Sequence, residues 1–260
     1  MKFGLLLDRA EELGAERLAT GHYAAFARHP AYGFALRRAA DPGRDQSYFL
    51  SLVPKERLAR AVFPLADIAK SAIFGQLAEQ GLAAPLPEES REICFVPEDN
   101  YRAFLEEHAG RLPGPGPICL RDGRLVGRHE GLWRYTEGQR RGLGLAWSEA
   151  LYVLEKDCAR NSLVVGTAAE LRVHACRTGR CNVFVPVEQW PQTLFVRTRY
   201  KQAAQAAEAK IEDGCLHVRF HEPQTACAPG QIACLYDGEG WVLAAGLIQS
   251  GPGAIAERSC

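Results

Sequence analysis

The sequence predicts an α/β layer followed by a small central module and a C-terminal antiparallel β-barrel, and three observations support this order. Apolar residues recur at helical spacing within the first eighty residues, around one short strand pattern. A Pro-rich segment at 84–87 then separates this part from the rest of the chain. In the second half the pattern changes to the two-residue alternation that is typical of β-strands.

The first predicted helix runs from Phe3 to Leu13 and ends at Gly14. A short strand at 17–20 follows and runs into Gly21-His22-Tyr23. Open α/β sheets place their ligands where a parallel strand ends, so this turn is a candidate binding site. A plain turn with a hydrogen-bonded histidine explains the same residues equally well.

A charged cluster at 44–46 opens the next apolar helical run, after a bend at 41–43. Asp45 could cap that helix, or the polar triplet could face a ligand. Further helical patterns are predicted at 70–80 and 101–108.

The second half contains three predicted strand pairs. They are 151–155 with 162–165, the two halves of 210–220 around an Asp213-Gly214 turn, and 232–236 with 241–248. Several short strands with regular turns are typical of a small barrel or sandwich.

Composition limits the class of protein. The 260 residues are 47% hydrophobic and 24% charged, as in a folded chain of about two domains. Lys+Arg and Asp+Glu number 31 each, so the net charge indicates no partner. The sequence has no membrane-helix or leader pattern, so we expect a cytoplasmic protein without a membrane partner. The nine cysteines show no close pairing that would indicate a disulfide framework or a metal site.

Local features could carry chemistry. Cys94 lies outside the alternating strands and beside charged residues, although a buried structural cysteine fits the spacing at least as well.

Residues 171–210 hold seven basic and two acidic residues. A strand there would place Arg197 and Arg199 on one face and Tyr200 on the other, which suits phosphate pairing and base stacking on RNA. A second basic cluster surrounds Trp133 and Tyr135. A solvated face is the alternative.

Six segments in order resemble the tRNA-specific 2-thiouridylase family. They are Ala19-Thr20-Gly21-His22-Tyr23-Ala24, Arg44-Asp45-Gln46-Ser47-Tyr48-Phe49-Leu50, Ile93-Cys94-Phe95-Val96-Pro97, His129-Glu130-Gly131-Leu132 with the run from Tyr135 to Gly144, Arg199-Tyr200-Lys201-Gln202, and Ala228-Pro229-Gly230-Gln231. The resemblance implies that the first layer is part of an adenine-nucleotide alpha-hydrolase-like (PP-loop) domain. It implies domains at 1–93, 94–168 and 169–260.

The family activates the 2-oxygen of the wobble uridine of certain tRNAs with ATP, with Mg²⁺ expected. This step leaves an adenylate, and a cysteine persulfide then delivers sulfur to the activated carbon. By resemblance, Cys94 is the persulfide-bearing catalytic cysteine and Gly21 lines the ATP site. The tRNA contacts implied are His22, Arg44, Asp45, Gln46, Arg199, Tyr200 and Gln231. A persulfide donor protein and tRNA are the implied partners.

The sequence departs from the family pattern in three respects. It lacks the family's SGGxDSS loop and a second catalytic cysteine, and it has Arg44 where lysine is usual. We therefore expect ATP binding and thiolation by this chain alone to be incomplete. A misplaced start codon, a split gene whose partner supplies a separate ATP-binding N-terminal half, and a degenerate copy would each account for this. A tRNA-binding module without chemistry is the alternative.

Overall fold

The computed structural model describes residues 2–82, 101–110, 112–225 and 227–249. The chain divides into two compact units. The first unit holds the described residues of Met1–Ala83 together with those of Val173–Cys260, and the second holds those of Ala84–Arg172. The division into three domains stays a prediction. No helix in the described ranges is long and apolar enough to cross a membrane.

The described ranges contain five α-helices, and a π-helical turn over Lys2–Leu6 leads into the first of them. They are α1 (Leu7–Glu12), α2 (Ser47–Leu50), α3 (Lys55–Leu58), α4 (Lys70–Glu79) and α5 (Tyr101–His108). The helices predicted at 3–13, 70–80 and 101–108 are confirmed in position. The helical run predicted after the charged cluster is confirmed as well, but it is short.

Fifteen strands are described, and they form four sheets. They are β1 (Leu18–Ala19), β2 (Ala24–His29), β3 (Gly33–Arg38), β4 (Ala61–Val62), β5 (Gly116–Leu120), β6 (Leu125–His129), β7 (Tyr152–Asp157), β8 (Ser162–Gly166), β9 (Arg172–Arg180), β10 (Asn182–Val183), β11 (Leu194–Arg197), β12 (Gln205–Glu212), β13 (Cys215–Thr225), β14 (Ile232–Tyr236) and β15 (Val242–Leu247). The short β1 pairs with β4 in parallel, as predicted for the strand that precedes Gly21.

The barrel in the first unit is a seven-stranded antiparallel sheet, in the order β10-β15-β14-β11-β12-β13-β9. The sheet curls until β9 meets the residues after β15, since Thr178 bridges Ile248. Gly246 permits this approach, because a Cβ there would lie 2.5 Å from the Thr178 side-chain oxygen. Asp213 and Gly214, with φ of 51° and 73°, make the predicted turn between β12 and β13. The predicted fold class is confirmed.

The hairpin of β2 and β3 attaches the N-terminal part of the first unit to this barrel. Arg37 forms an antiparallel bridge with Trp241, and the Arg38 amide donates to the Gly240 carbonyl at 3.0 Å. The His29 ring packs against the Trp241 ring, with centroids 5.0 Å apart. The hairpin therefore fixes the N-terminal segment to the turn between β14 and β15.

The second unit contains the four-stranded sheet β6-β5-β8-β7. Its core includes Ile118, Leu132, Val153, Leu163 and Val165. The hairpin of β7 and β8 was predicted. The glycine-rich run at 135–144 lies against β7, because the Gly138 amide donates to the Val153 carbonyl at 2.8 Å.

Candidate nucleic-acid interface

A buried ion network centres on Asp45. Its carboxylate is 0% exposed, and one oxygen accepts hydrogen bonds from the amides of Ala39 and Ser47 at 3.3 and 3.0 Å. The other oxygen accepts from the guanidinium groups of Arg38, at 3.2 Å, and Arg197, at 2.9 Å. All four contacts lie within the protein, so the structure shows Asp45 as a residue that positions its neighbours. Its predicted contact with tRNA stays a prediction.

Arg197 is also buried, which corrects the expectation that it lies on an exposed strand face beside Arg199. The strand β11 ends at Arg197, so the alternation of side chains does not continue to Arg199. The Arg197 guanidinium donates to the backbone carbonyls of Gln202, at 3.1 Å, and Tyr200. Asp45 thereby holds Arg197, and Arg197 holds the turn that carries Arg199 and Tyr200.

Gln46 joins this network to the turn after β1. The Tyr23 amide donates to the Gln46 side-chain oxygen at 3.0 Å, and the Gln46 amide donates to the Tyr23 carbonyl at 2.7 Å. The two predicted segments, 21–23 and 44–46, are therefore held together by paired hydrogen bonds. Arg44 lies half-buried at the start of this connection.

The Tyr48 hydroxyl connects the same helix to two parts of the barrel. It lies 3.2 Å from the Thr198 carbonyl oxygen and 3.1 Å from the Ile232 carbonyl oxygen, and it accepts from the Ile232 amide at 3.2 Å. Thr198 directly precedes Arg199, and Ile232 directly follows Gln231. One buried hydroxyl therefore brings the backbones beside these two predicted contacts together.

A pair of aromatic rings, one exposed and one half-buried, lies beside these residues. Phe49 is 52% exposed, and its ring lies 4.5 Å from the ring of Tyr200 between centroids. Arg199 is adjacent in sequence to Tyr200 and is half-buried, and Gln231 is exposed. We call Phe49, Arg199 and Tyr200 the aromatic-basic surface. Aromatic rings beside a guanidinium group suit base stacking and phosphate pairing on single-stranded RNA.

His22 lies half-buried between two phenylalanine rings. Its ring is 5.6 Å from the ring of Phe3 and 6.2 Å from that of Phe63, between centroids. Its Nδ1 lies 2.9 Å from the side-chain oxygen of Thr20. Burial, and then the nearby charge of Lys2, lowers the pKa of His22 below its ordinary value. This shift favours the neutral imidazole at pH 7.

Gly21 is exposed and open. A Cβ added there would meet only a methyl group of Leu65, at 3.9 Å. The position can admit a ligand but does not itself enclose one.

Two further predicted features are Cys94 and the basic cluster around Trp133. Cys94 lies outside the described residues. In the basic cluster of the second unit, Arg134 pairs with Glu106 and Glu130 at 2.8 and 2.7 Å, so its charge is compensated within the protein. Its guanidinium lies 4.8 Å from the centre of the Trp133 ring.

Sequence reasoning missed three contributors to this site. Arg38 and Tyr48 act through remote contacts that no local pattern indicates. Phe49 had a usable signal, since it is an aromatic residue in the segment from Arg44 to Leu50 that the family resemblance had already marked.

Three family models match the chain in order. They are described as a tRNA methyl transferase HUP domain at residues 1–98, a tRNA methyl transferase PRC-barrel domain at 102–167, and an aminomethyltransferase beta-barrel domain at 173–248.

Similar proteins carry one common name. A tRNA-specific 2-thiouridylase of Nitratidesulfovibrio vulgaris strain Miyazaki F is 55% identical over 95% of this chain and 71% of the relative. The proteins of the same name from Oleidesulfovibrio alaskensis and Lawsonia intracellularis are 54% and 49% identical, over 96% and 95% of this chain and 72% of each relative. This identity extends over nearly the whole chain, and the chain belongs to the tRNA-specific 2-thiouridylase family.

Proposed function

We propose that this chain acts in the 2-thiolation of a uridine in tRNA, with the first unit as its RNA-binding part. The observation that carries this proposal is the chain of contacts from Tyr23 through Gln46, Tyr48 and Phe49 to Tyr200. It joins the turn that resembles the family's nucleotide site to the aromatic-basic surface. The names of the relatives support uridine in tRNA as the substrate.

The tRNA contacts we propose are those the resemblance implies, in two groups. Arg199, Tyr200 and Gln231 contact RNA directly from the barrel, and His22, Arg44 and Gln46 do so from the N-terminal segments. We assign Asp45 an indirect part, because its carboxylate is enclosed by Arg38, Arg197 and two amides.

We propose Cys94 as the residue that carries the sulfur, on the resemblance of residues 93–97 alone. A persulfide on this cysteine would be loaded by a donor protein, and its outer sulfur would bond to C2 of the uridine as the bond from C2 to the activated oxygen breaks. A second thiol would then attack the Cys94 sulfur and form a disulfide with it, so that the S–S bond of the persulfide breaks and the thiolated uridine is released. A thiol serves as a nucleophile or sulfur carrier in its deprotonated form, so a nearby positive charge would favour the reaction.

The family's ATP-dependent activation of the uridine 2-oxygen would take place, by resemblance, at the turn that contains Gly21. Among the described residues only Gly21 matches that site, and it does not enclose a ligand. We therefore assign no step of the activation to the described residues. The 260 residues contain no SGGxDSS segment, and the chain spans about seven tenths of the length of the relatives named above.

The experiment incubates the chain with tRNA, ATP with Mg²⁺ and a persulfide donor, with and without a polypeptide that carries the SGGxDSS loop of a relative. We expect thiolated uridine only in the complemented reaction and its loss in the Cys94→Ser variant. Cys158→Ser is the matched control, because Cys158 is exposed on the loop between β7 and β8. Thiolation that persists in Cys94→Ser would contradict the assignment.

The alternative function is tRNA binding without chemistry, either as a binding module or as a partner subunit of a split enzyme. It is favoured by the position of the aromatic-basic surface, which lies entirely within the first unit. This alternative predicts salt-sensitive tRNA binding that Cys94→Ser leaves intact, with no thiolated product in any complemented reaction.

A further inference from the structure

A glycine-rich loop of the second unit is held in place by two leucines. It covers residues 140–147 and precedes β7. Leu143 is buried in the core of this unit, and Leu145 packs against that core. A Cβ on Gly127 of β6 would lie 2.5 Å from a methyl carbon of Leu145, so this leucine packs closely against the strand. The loop is therefore fixed at its middle.

The exposed positions of this loop present bare backbone. Gly142 and Gly144 are exposed and have φ of 77° and 66°, a conformation that other residues rarely adopt. The amides of residues 144–147 donate to no acceptor among the residues that the structure describes. Successive backbone amides around residues of positive φ form concavities that bind anions. This stretch of the loop is therefore suited to an anionic group.

The same loop lines an open cavity of about 690 Å³, which is within the range of about 300–1,000 Å³ for ligand pockets. Arg140, Gly142, Gly144 and Trp147 are part of the lining, and all four are exposed. Trp147 also lines a smaller cavity of about 500 Å³, where the Arg124 guanidinium lies 5.1 Å from the centre of the indole ring. Arg124 does not line the larger cavity. An aromatic ring, a guanidinium group and bare backbone therefore meet in one space.

The charge around this cavity favours an anion. Residues 124–149 hold five arginines and three glutamates, so their formal charge is +2 in a chain whose net charge is zero. Arg140 and Arg141 are exposed, and neither pairs with a carboxylate of a described residue. Glu149 also lines the cavity, and a carboxylate can accept a hydrogen bond from the amino group of a base. A nucleotide offers both an anionic phosphate and a base, so it fits this combination.

We propose that the loop 140–147 is a second tRNA contact, which binds one unpaired nucleotide of the tRNA in the larger cavity. This inference rests on the proposed function, which supplies tRNA as the RNA. The phosphodiester groups on either side of the nucleotide contact the amides of residues 144–147 and the guanidinium groups of Arg140 and Arg141. The base stacks on the indole ring of Trp147, as unpaired bases do on aromatic side chains.

The first test follows hydrogen exchange in the full chain, free and with excess tRNA, by mass spectrometry of its peptides. We expect slower exchange in the peptide that covers 140–147 when tRNA is bound, because its amides then have an acceptor. The peptide around Cys158, on the exposed loop between β7 and β8, is the control and should exchange at the same rate. Unchanged exchange at 140–147 in the tRNA complex would overturn the proposal.

The second test titrates tRNA binding with salt. Arg140→Gln and Arg141→Gln should each weaken binding and lower the slope of log affinity against log salt by about one. Trp147→Leu keeps an apolar side chain and should weaken binding about fivefold or more, with the slope unchanged. Arg160→Gln is the matched control, because it removes the same charge from an exposed residue of the same unit. Equal effects of Arg160→Gln and Arg140→Gln would overturn the proposal.

The second contact and the proposed function fail in different ways. If the wild-type chain binds no tRNA, both are overturned. If Arg199→Gln weakens binding while the three loop variants do not, the second contact alone is overturned. The exchange measurement uses the wild-type chain, so it is decisive even if a variant folds poorly.

Discussion

The buried carboxylate of Asp45 provides the sharpest test of how the first unit is held together. In Asp45→Asn one oxygen can still accept from the amides of Ala39 and Ser47. The other position can become an amide nitrogen that faces the guanidinium groups of Arg38 and Arg197. Arg197 is only 8% exposed in its side chain, so its charge would then lie in the interior without a counter-charge.

Removing one partner of a buried ion pair costs about 3–5 kcal/mol of folding free energy, because the remaining charge stays desolvated. A protein of this kind has a total stability of about 5–15 kcal/mol. Asp45→Asn should therefore remove a large fraction of the stability of the first unit. The turn carrying Arg199 and Tyr200 should loosen as well, since Arg197 holds its carbonyls.

The matched control is Asp67→Asn. Asp67 pairs with Arg37 at 2.8 Å, close to the 2.9 Å between Asp45 and Arg197, but its side chain is 75% exposed. An exposed pair contributes at most about 1 kcal/mol. Urea unfolding followed by tryptophan fluorescence gives both changes in the free energy of unfolding. If the two variants differ by less than about 1 kcal/mol, burial does not set the value of the Asp45 network.

Three further predictions follow from the same unit. Arg199→Gln should weaken tRNA binding and lower the slope of log affinity against log salt by about one. Arg219→Gln changes an exposed residue of β13 and should weaken binding less than Arg199→Gln does. Equal losses of affinity in the two variants would indicate non-specific attraction. Folding lowers the pKa of His22, so its stabilising effect is present above about pH 6.5 and is lost as the pH falls. The drop in unfolding midpoint between pH 7.5 and 5.5 should therefore be smaller in His22→Asn, and an unchanged drop would contradict this. Tyr48→Phe should cost about 1–3 kcal/mol in urea unfolding, because the Ile232 amide loses its buried acceptor; a loss below about 0.5 kcal/mol would show that this bond is replaced.

Local sequence was sufficient for elements whose geometry depends on neighbouring residues. The Asp213-Gly214 turn needs two residues that tolerate positive φ, and both strands beside it alternate, so β12 and β13 could be predicted. The helix Tyr101–His108 and the hairpin of β7 and β8 were predictable for similar reasons.

Remote contacts account for what the sequence could not indicate. The alternation at 195–201 placed Arg197 and Arg199 on one face, but Asp45 lies 152 positions earlier and draws Arg197 into the interior. The hairpin of β2 and β3 was not predicted although its two strands pair locally, whereas its attachment to Trp241 is remote and required coordinates. In the candidate site, the family resemblance marked the segments, while the contacts of Gln46 with Tyr23 and of Tyr48 with Thr198 required coordinates.

The attachment of β2 and β3 to Trp241 has a consequence for biosynthesis. During translation the hairpin of β2 and β3 leaves the ribosome about two hundred residues before Trp241. The contact between them can therefore form only late in synthesis. Contacts between residues so far apart in sequence form slowly, because closing a long loop costs chain entropy. Cells that make this protein would therefore expose an unfinished apolar edge on the nascent chain, which is a substrate for chaperones until the last strands emerge.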